Sequence, residues 1–557
     1  MEYKSLVKRF SMLSMTALLT LSLAACVEKS DSSKPVSENG EKVITMGRVT
    51  SANPKLPQGD SYEDNAYTRI VNEKLNVKIV DQFEAEGDDY SRQVALAIAS
   101  GELPDMMRVD SKDELKEMVE NDLIEDLTTY YDKNASDYIK DIYESYDGRS
   151  LADATFDGQL MAIPATIGDG APNMIWIRKD WLNKLGIELD TDGNKAITLD
   201  ELEKTAKAFL DNDPGESGNP VGIPFASWLN AGDYGGSAFA MTAIAEVFDA
   251  HPRFWLEGNN GDIIYGSTST NTKQALGVMA DWFEKGIIDP QFGTRTWDDI
   301  MALLTNGQTG ITTGPWHLPD WGLSTVRAKN KDAEFVAYAL EDENGKVNVT
   351  HNNPTGQFIV VKKGFEHPEI AIEILNLFYD EIPNSKDLKT EYPEIEKYGK
   401  LGVDGSTRPF NIEVYNSENL LEEFAYIQQA IDGEIAIDDI PSAGVKIDAQ
   451  SVKDYLDDPE SAETSTWSKY HSRMHGLGMM KKLSEEDKFV WTTPAYFGTT
   501  KAMGKKGANL AKLEEEGFIK IVTGTEPLSY FDTFVKNWKR QGGDEIIAEI
   551  KAELAGN

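Results

Sequence analysis

The twelve residues DTDGNKAITLDE, from Asp190 to Glu201, carry oxygen donors at intervals that suit a hard divalent cation. Asp190, Asp192 and Asn194 stand at loop positions 1, 3 and 5. The Ala196 carbonyl falls at 7, apolar Ile197 at 8, Thr198 at 9 and Glu201 at 12. That is the ligand spacing of a calcium-binding helix–loop–helix, and helix-like RKDWLNKLG and LDELEKTAKAFL flank it. Lys195 takes position 6, where glycine is usual, and a left-handed backbone there costs about 1–2 kcal/mol. Asp190, Asp192, Asp200 and Glu201 repel one another without a cation. Attraction to calcium outweighs the strain at extracellular levels, where affinities on the order of 10⁻⁴–10⁻³ M suffice. The cofactor expected is therefore calcium in a structural role. A solvated acidic loop, with Thr198 capping the next helix, is the alternative.

Other reactive spacings fall short. His471 and His475 in HSRMH lie one helical turn apart but lack the glutamate of a zinc protease motif. GTTKAMGKKG is one residue too long for a phosphate loop and has Lys506 where serine or threonine is needed. No Gly-x-Ser-x-Gly elbow occurs, and among 94 acidic residues no local motif nominates a glycosidase pair. The expectation is a protein without catalysis.

The single cysteine, Cys26, lies at the amino terminus. Lys4, Lys8 and Arg9 precede an uncharged run from Phe10 to Ala25, too short to span a membrane and typical of an export signal. Leu23-Ala24-Ala25-Cys26 resembles the bacterial lipobox, which implies cleavage before Cys26 and its lipidation, palmitate included. Two acyl chains anchor a protein stably where one is marginal. Residues 27–42 hold almost nothing apolar and read as a tether with a reach on the order of 20 Å. With 55 basic against 94 acidic residues, the net charge of −39 repels nucleic acid and anionic lipid.

Strand and helix patterns alternate through most of the chain, which argues for α/β layers with mostly parallel sheets. VITMGRV, KLNVKIVDQF and FIVVKKG read as strands. YSRQVALAIAS, KDELKEMVENDLIEDL, TKQALGVMADWFEKGII and HPEIAIEILNLFYDEI read as helices, and MIWIRKDWLNKLGI joins one to the other.

Five segments occur in order: ASGELPDMMRVDS (99–111), LMAIPATIGDGAPNMIWIRKDWLNKLGI (160–187), NGQTGITTGPWHLPDW (306–321), TGQFIVVKKGFEHPEIAIEILNLFYD (355–380) and YFGTTKAMGKKGANLAKLEEEGFIKIVTG (496–524). Together they resemble the extracellular solute-binding lipoproteins of carbohydrate ABC importers, the maltose-binding-protein-like superfamily, in its large Gram-positive group. The resemblance implies a type II, two-lobed periplasmic-binding-protein-like fold. Its mixed, mainly parallel sheets are flanked by helices, with a ligand cleft between the lobes. The divisions expected are a signal peptide (1–25), a lipidated tether (26–42), lobe 1 (43–164 plus 355–405) and lobe 2 (165–354 plus 406–557). The resemblance further implies capture of a saccharide outside the cell by hinge closure. Delivery to membrane permease subunits would follow, from a monomer held at the outer face of the cell membrane. A secreted carbohydrate-active enzyme and a surface adhesion protein are the rival classes.

A sugar offers flat C–H faces and a rim of hydroxyls, so aromatic platforms with short polar groups suit it. Trp176, Trp181, Trp282 and Trp538 read as packing. Trp316 follows Gly314-Pro315, which turn the chain out of a strand, and resembles the stacking tryptophan of the family's cleft. Trp228 sits in a glycine-rich loop, and Trp467 and Trp491 flank the family's late cleft segment. Asp110 and Ser111 after a strand, Thr166 and Asp169 at the first expected crossing, Asn353 at the second and Arg408 at the third complete the ligand candidates. Each of these polar residues also fits a plain turn.

Overall fold

The computed structural model describes residues 40–555, apart from 52–53, 169–170, 226–237, 259–260, 386 and 402. Cys26, Asp169 and Trp228 lie outside the described residues. In chain order the strands that position the site are β1 (Lys42–Val49), β2 (Val77–Ala85), β3 (Met106–Val109), β4 (Ile163–Pro164), β5 (Met174–Arg178), β6 (Ala196–Ile197), β7 (Ile311–Gly314), β8 (Phe335–Leu340), β9 (Val347–Thr350), β10 (Phe358–Val361) and β11 (Phe489–Thr492).

They form two main sheets, ordered β2-β1-β3-β10-β4 and β7-β5-β8-β6, and a small one in which β9 pairs with β11. Helix-connected β1, β2 and β3 are parallel, as the alternating pattern predicts. β10 pairs antiparallel with β3 and β4, and β5 pairs antiparallel with β7 and β8. The parallel share is thus smaller than alternation alone implies. The reason is connectivity: β4 leaves its sheet for the other lobe and β10 returns from it, so neither is joined to its neighbour by a flanking helix.

The inner strands β5, β8 and β10 are buried on both faces, which explains why they read as nearly unbroken apolar runs. In β10, Phe358 and Val360 face the side of Met107 and Val109, whereas Ile359 and Val361 face that of Ile44 and Met106. In β5, Ile175 and Ile177 point into one core and Met174 and Trp176 into another. Each such aliphatic side chain contributes about 1.5–3 kcal/mol by leaving water. Among the described residues, no core cluster mixes side chains of the first sheet with those of the second. In β1, Gly47 marks a register shift against β2 and lies under the Phe83 ring; a Cβ there would sit 2.5 Å from the ring.

Three segments run between the sheets side by side. Ala165 N–H donates to the Gln357 carbonyl at 2.8 Å and Ile167 N–H to the Pro354 carbonyl at 2.8 Å. Thr166 N–H donates to the Glu413 carbonyl at 2.7 Å. The middle strand of this narrow ribbon is therefore bonded on both edges. Phe410, Ile412 and Val414 belong to the core of the first sheet, past the division expected at 405. The third segment accordingly leaves that body after Val414.

Candidate functional site

The ribbon enters the second sheet at Met174, which pairs with Gly314 at the end of β7. This sheet edge lies nearest the connections to the first lobe, and Trp316 follows it directly. The turn is fixed because the Trp176 indole N–H donates to the Pro315 carbonyl at 3.2 Å. Trp316 is half-buried against the second body's core. The Arg473 guanidinium lies 5.1 Å from its ring centre. Arg473 is itself held from two sides. Nη1 donates to Asp320 at 2.5 Å, Nε donates to Asp448 at 2.8 Å, and Lys469 lies 3.5 and 3.4 Å from the same two carboxylates. Gly476, on the helix that carries Arg473, lets that helix close on the Trp316 backbone, since a Cβ there would lie 2.6 Å from its carbonyl oxygen.

Sequence reasoning missed the side chains beside it. Trp297 and Trp321 are about two-fifths exposed and stack with ring centres 5.3 Å apart and planes 23° apart. Phe239 packs on Trp297 at 4.4 Å, and its N–H bonds the Thr313 carbonyl of β7 at 3.0 Å. His317 links the pair to Trp316: its ring lies 5.0 Å from Trp316, and its Nδ1 accepts the Trp321 indole N–H at 2.9 Å. Burial pushes the imidazole below its ordinary value, and the accepting Nδ1 leaves the ring proton on Nε2. The local signal at Trp297 was its place just after the Thr296 cap of the helix Trp297–Thr305. Nothing in the sequence shows that it meets Trp321.

The other sequence candidates scatter. Asp110 is exposed at the end of β3 and pairs with Arg108 at 2.7 Å. The Ser111 hydroxyl is used as a cap, accepting the Glu114 N–H at 3.1 Å. Thr166 is a correction: it is fully buried, and its Oγ1 accepts the Tyr415 N–H at 2.7 Å and donates to the Tyr415 carbonyl at 2.9 Å. Both capacities are spent inside the connecting ribbon. Asn353 is half-buried in that ribbon and accepts the Thr355 N–H at 3.4 Å. Arg408 is half-buried, folded over Tyr379 at 5.8 Å and within 3.5 Å of Glu413. Trp467 is a second correction. It is fully buried, and its indole N–H donates to Glu334 at 3.2 Å, so neither face can meet a ligand. Trp491 stays over one-third exposed and stacks on His351 at 4.6 Å. His471 and His475 are core residues: His471 Nδ1 lies 2.9 Å from the Phe335 carbonyl oxygen, and burial lowers both imidazoles. The GTTKAMGKKG segment runs into the helix Lys501–Val522 and forms no phosphate-cradling loop.

The Asp190–Glu201 loop keeps the expected shape with different partners. Lys195 adopts φ 66°, left-handed as its position requires. Asp190 is nearly buried; its Oδ1 accepts the Lys195 N–H at 2.8 Å and its Oδ2 lies 3.3 Å from Lys195 Nζ. The lysine thus stands in for a cation. The carbonyls of Lys195 and Ile197 bond β8, so the alternate carbonyl, that of Ala196, points away from the sheet. Thr198 and Glu201 form a reciprocal cap: Glu201 Oε2 accepts the Thr198 N–H at 2.9 Å. Burial first, then the charges of Asp190 and Glu201, pushes the Tyr338 phenol up to about 12. Among the described residues, no group of three or more metal-binding side chains is gathered as placed. The donor set suits calcium in type and order, with Lys195 holding the first ligand.

Comparison with known proteins agrees with this architecture. Residues 53–381 match the family model of bacterial extracellular solute-binding proteins. The Streptococcus pneumoniae fructooligosaccharide ABC transporter substrate-binding protein FusA is 26% identical over 64% of this chain and 65% of its own length. Just under two thirds of that relative is therefore spanned. A solved structure of a FusA EF-hand mutant with fructo-nystose has a TM-score of 0.52, covering 92% of this chain and 98% of that one at 18% identity. Lipoprotein LipO of Bacillus subtilis is 22% identical over 96% of both chains. The alginate-binding protein AlgQ2, solved without calcium ion, gives a TM-score of 0.52 over 92% and 97% at 15% identity. The fold is the two-lobed type II arrangement of mixed sheets flanked by helices. Among the described residues, no helix is long and apolar enough to cross a membrane. The matched family is one of solute binders and not of catalysts, and the matched segment exceeds half of the chain: the protein belongs to the bacterial extracellular solute-binding proteins.

Proposed function

We propose that the protein is the substrate-binding component of an ABC importer, anchored by lipid on Cys26, that captures an oligosaccharide between its lobes and hands it unchanged to membrane permease subunits. The observation that carries this reading is Trp316, held by Arg473 at the sheet edge beside the connecting ribbon. A clamped ring at a hinged edge suits the C–H face of a sugar, and hinge closure lets the other lobe bond its hydroxyls. Asp110, exposed at the end of β3, is the acceptor we assign to the first lobe. The name of the FusA relative, which cites fructooligosaccharides, supports the saccharide class.

A purified mature chain tests the reading. Oligosaccharide should raise its melting temperature, since a ligand that binds only the folded state stabilises it, and should be recovered intact. Cleaved glycan, or no shift with any saccharide, overturns it.

We also assign calcium to the Asp190–Glu201 loop as a structural ion. Its ligands would be Asp190, Asp192, Asn194, the Ala196 carbonyl, Thr198 and Glu201. A hard oxygen-bound cation would replace the Lys195 ammonium on Asp190.

A further inference from the structure

The helix Lys112–Glu120 belongs to the first lobe, where Leu115 and Met118 pack with Val109, Phe358 and Val360 on one face of the sheet. The connecting ribbon is gripped on the opposite face, where Tyr143 and Tyr146 pack with Ile412 and Val414. There the Tyr143 phenol donates to the Pro164 carbonyl at 2.7 Å, the Tyr146 phenol to the Tyr415 carbonyl at 2.9 Å, and the Ser417 N–H to Ser145 Oγ at 2.9 Å. The helix Asp544–Ala555 belongs to the second lobe, with Ile546 and Ile550 in the core that holds Ile175 and Ile177. The two helices meet, since Lys116 Nζ lies 3.8 Å from Glu553 Oε1. The other oxygen of Glu553 is held from its own lobe, where the Tyr496 phenol donates to Oε2 at 2.8 Å. Tyr496 is fixed in turn: it bridges Trp255, and the Ala495 N–H donates to the Trp255 carbonyl at 2.7 Å.

We infer that Lys116 and Glu553 form an electrostatic latch that holds the two lobes together at a point away from the hinge. The inference rests on the hinge-closing reading of the lobes and deepens it. The pair joins the lobes on the face of the first sheet opposite the grip on the ribbon. A rotation at the ribbon that swings the helix Lys112–Glu120 away from the second lobe therefore breaks it. Among the described residues no core cluster joins the two sheets, so a polar bridge has leverage over their angle. Tyr496 keeps Glu553 aimed. Burial first, then the bond to Glu553, raises its phenol well above the ordinary value, so it stays a donor. Neighbouring ammonium groups are engaged elsewhere: Lys112 donates to Asp153 at 2.6 Å and Lys551 to Asp262 at 2.5 Å. The Lys116 and Glu553 side chains are 45% and 34% exposed, and exposed pairs are weak. Weakness suits a latch, which biases closure and still gives way when a ligand must leave.

Small-angle X-ray scattering of the ligand-free mature chain reads the lobe angle as a radius of gyration. The comparison is made in about 0.01 M salt, where charges act over about 30 Å. Lys116→Glu and Glu553→Lys should each lower the closed-to-open ratio about 2- to 5-fold and enlarge the radius. They should do so although the first adds negative charge to an acidic chain and the second removes it. The double variant that carries both changes restores an opposite-charge pair and should return the wild-type radius. Both side chains are exposed enough that the lobes stay folded, which melting curves check. The latch is overturned if neither single variant expands, if only the more negative one does, or if the double variant stays expanded. The saccharide-induced melting shift of the wild type is read separately, so the latch can fail while the binding reading stands.

Discussion

Thr166→Val separates a hinge residue from a ligand residue. Valine has nearly the shape of threonine and lacks the hydroxyl. In the wild type, that hydroxyl receives the Tyr415 N–H and donates to the Tyr415 carbonyl. The carbonyl has a second partner, since the Tyr146 phenol donates to it at 2.9 Å, so it stays satisfied. The N–H has no other partner of that kind and loses its acceptor in a partly buried spot beside the fully buried Thr166. Leaving one buried donor unmade costs about 1–3 kcal/mol, and the methyl that valine adds recovers little in a packed site. Unfolding by urea should therefore begin at lower denaturant, by an amount equivalent to about 1–3 kcal/mol. Thr166→Ser keeps the hydroxyl and loses one methyl, so it should cost only about 0.8 kcal/mol. Saccharide affinity of the folded fraction should stay within a few-fold in both variants. A valine variant with wild-type stability and abolished binding would show that the hydroxyl serves the ligand and not the ribbon.

Trp467→Ala should lower stability by about 3–5 kcal/mol, as large-to-small changes in cores do, with no specific loss of saccharide affinity; weakened binding at unchanged stability would contradict its core placement. Lys195→Gly removes the ammonium from Asp190 and relieves about 1–2 kcal/mol of backbone strain. Calcium affinity by titration calorimetry should then rise about tenfold, whereas no calcium heat in either chain would leave the loop a plain helix cap. Glu246 is buried, and burial pushes its carboxyl up to about 8 from 4.5. The folded state thus holds a proton that the unfolded state releases, and stability should fall as pH rises from about 4.5 through 8. Glu246→Gln should flatten that slope in melting curves; an unchanged slope would assign it to other groups.

The sequence carried the parts of this molecule that are written locally. Two-sided burial left MIWIR and FIVV as apolar runs, and the cap at Gly101 closed a helix where glycine alone sits easily at φ 72°. The expected helix over KDELKEMVENDLIEDL stops at Glu120 instead. Asp122 turns left-handed at φ 53° and Ile124 bridges to Lys362, a residue far along the chain. Helical periodicity could not reveal that strand-like partner. The same limit governs the site. The turn that carries Trp316 out of β7 was legible because Gly314-Pro315 precede it. Trp467 looked equivalent from position, yet Glu334 and a packed core claim it. Trp297 and Trp321 become a pair only through the fold.

The irregularity of the helices around Trp316 follows from what that ring requires. Residues Pro319–Leu323 and His471–Leu477 are both wide, π-type turns, a form that is rare and often found at functional sites. The first places Asp320, and the second places Arg473 and Gly476, around the same residue. A regular helix at either segment would rotate those residues to other faces. Arg473 then fixes the two turns together, because its planar group can bond Asp448 and Asp320 at once while presenting a flat cation to the indole. A lysine offers one point charge and could not meet all three. The distorted turns and the arginine are therefore one device: the geometry that weakens helical bonding is the geometry that brings two carboxylates to the guanidinium, and through it holds the Trp316 ring beside the end of β7.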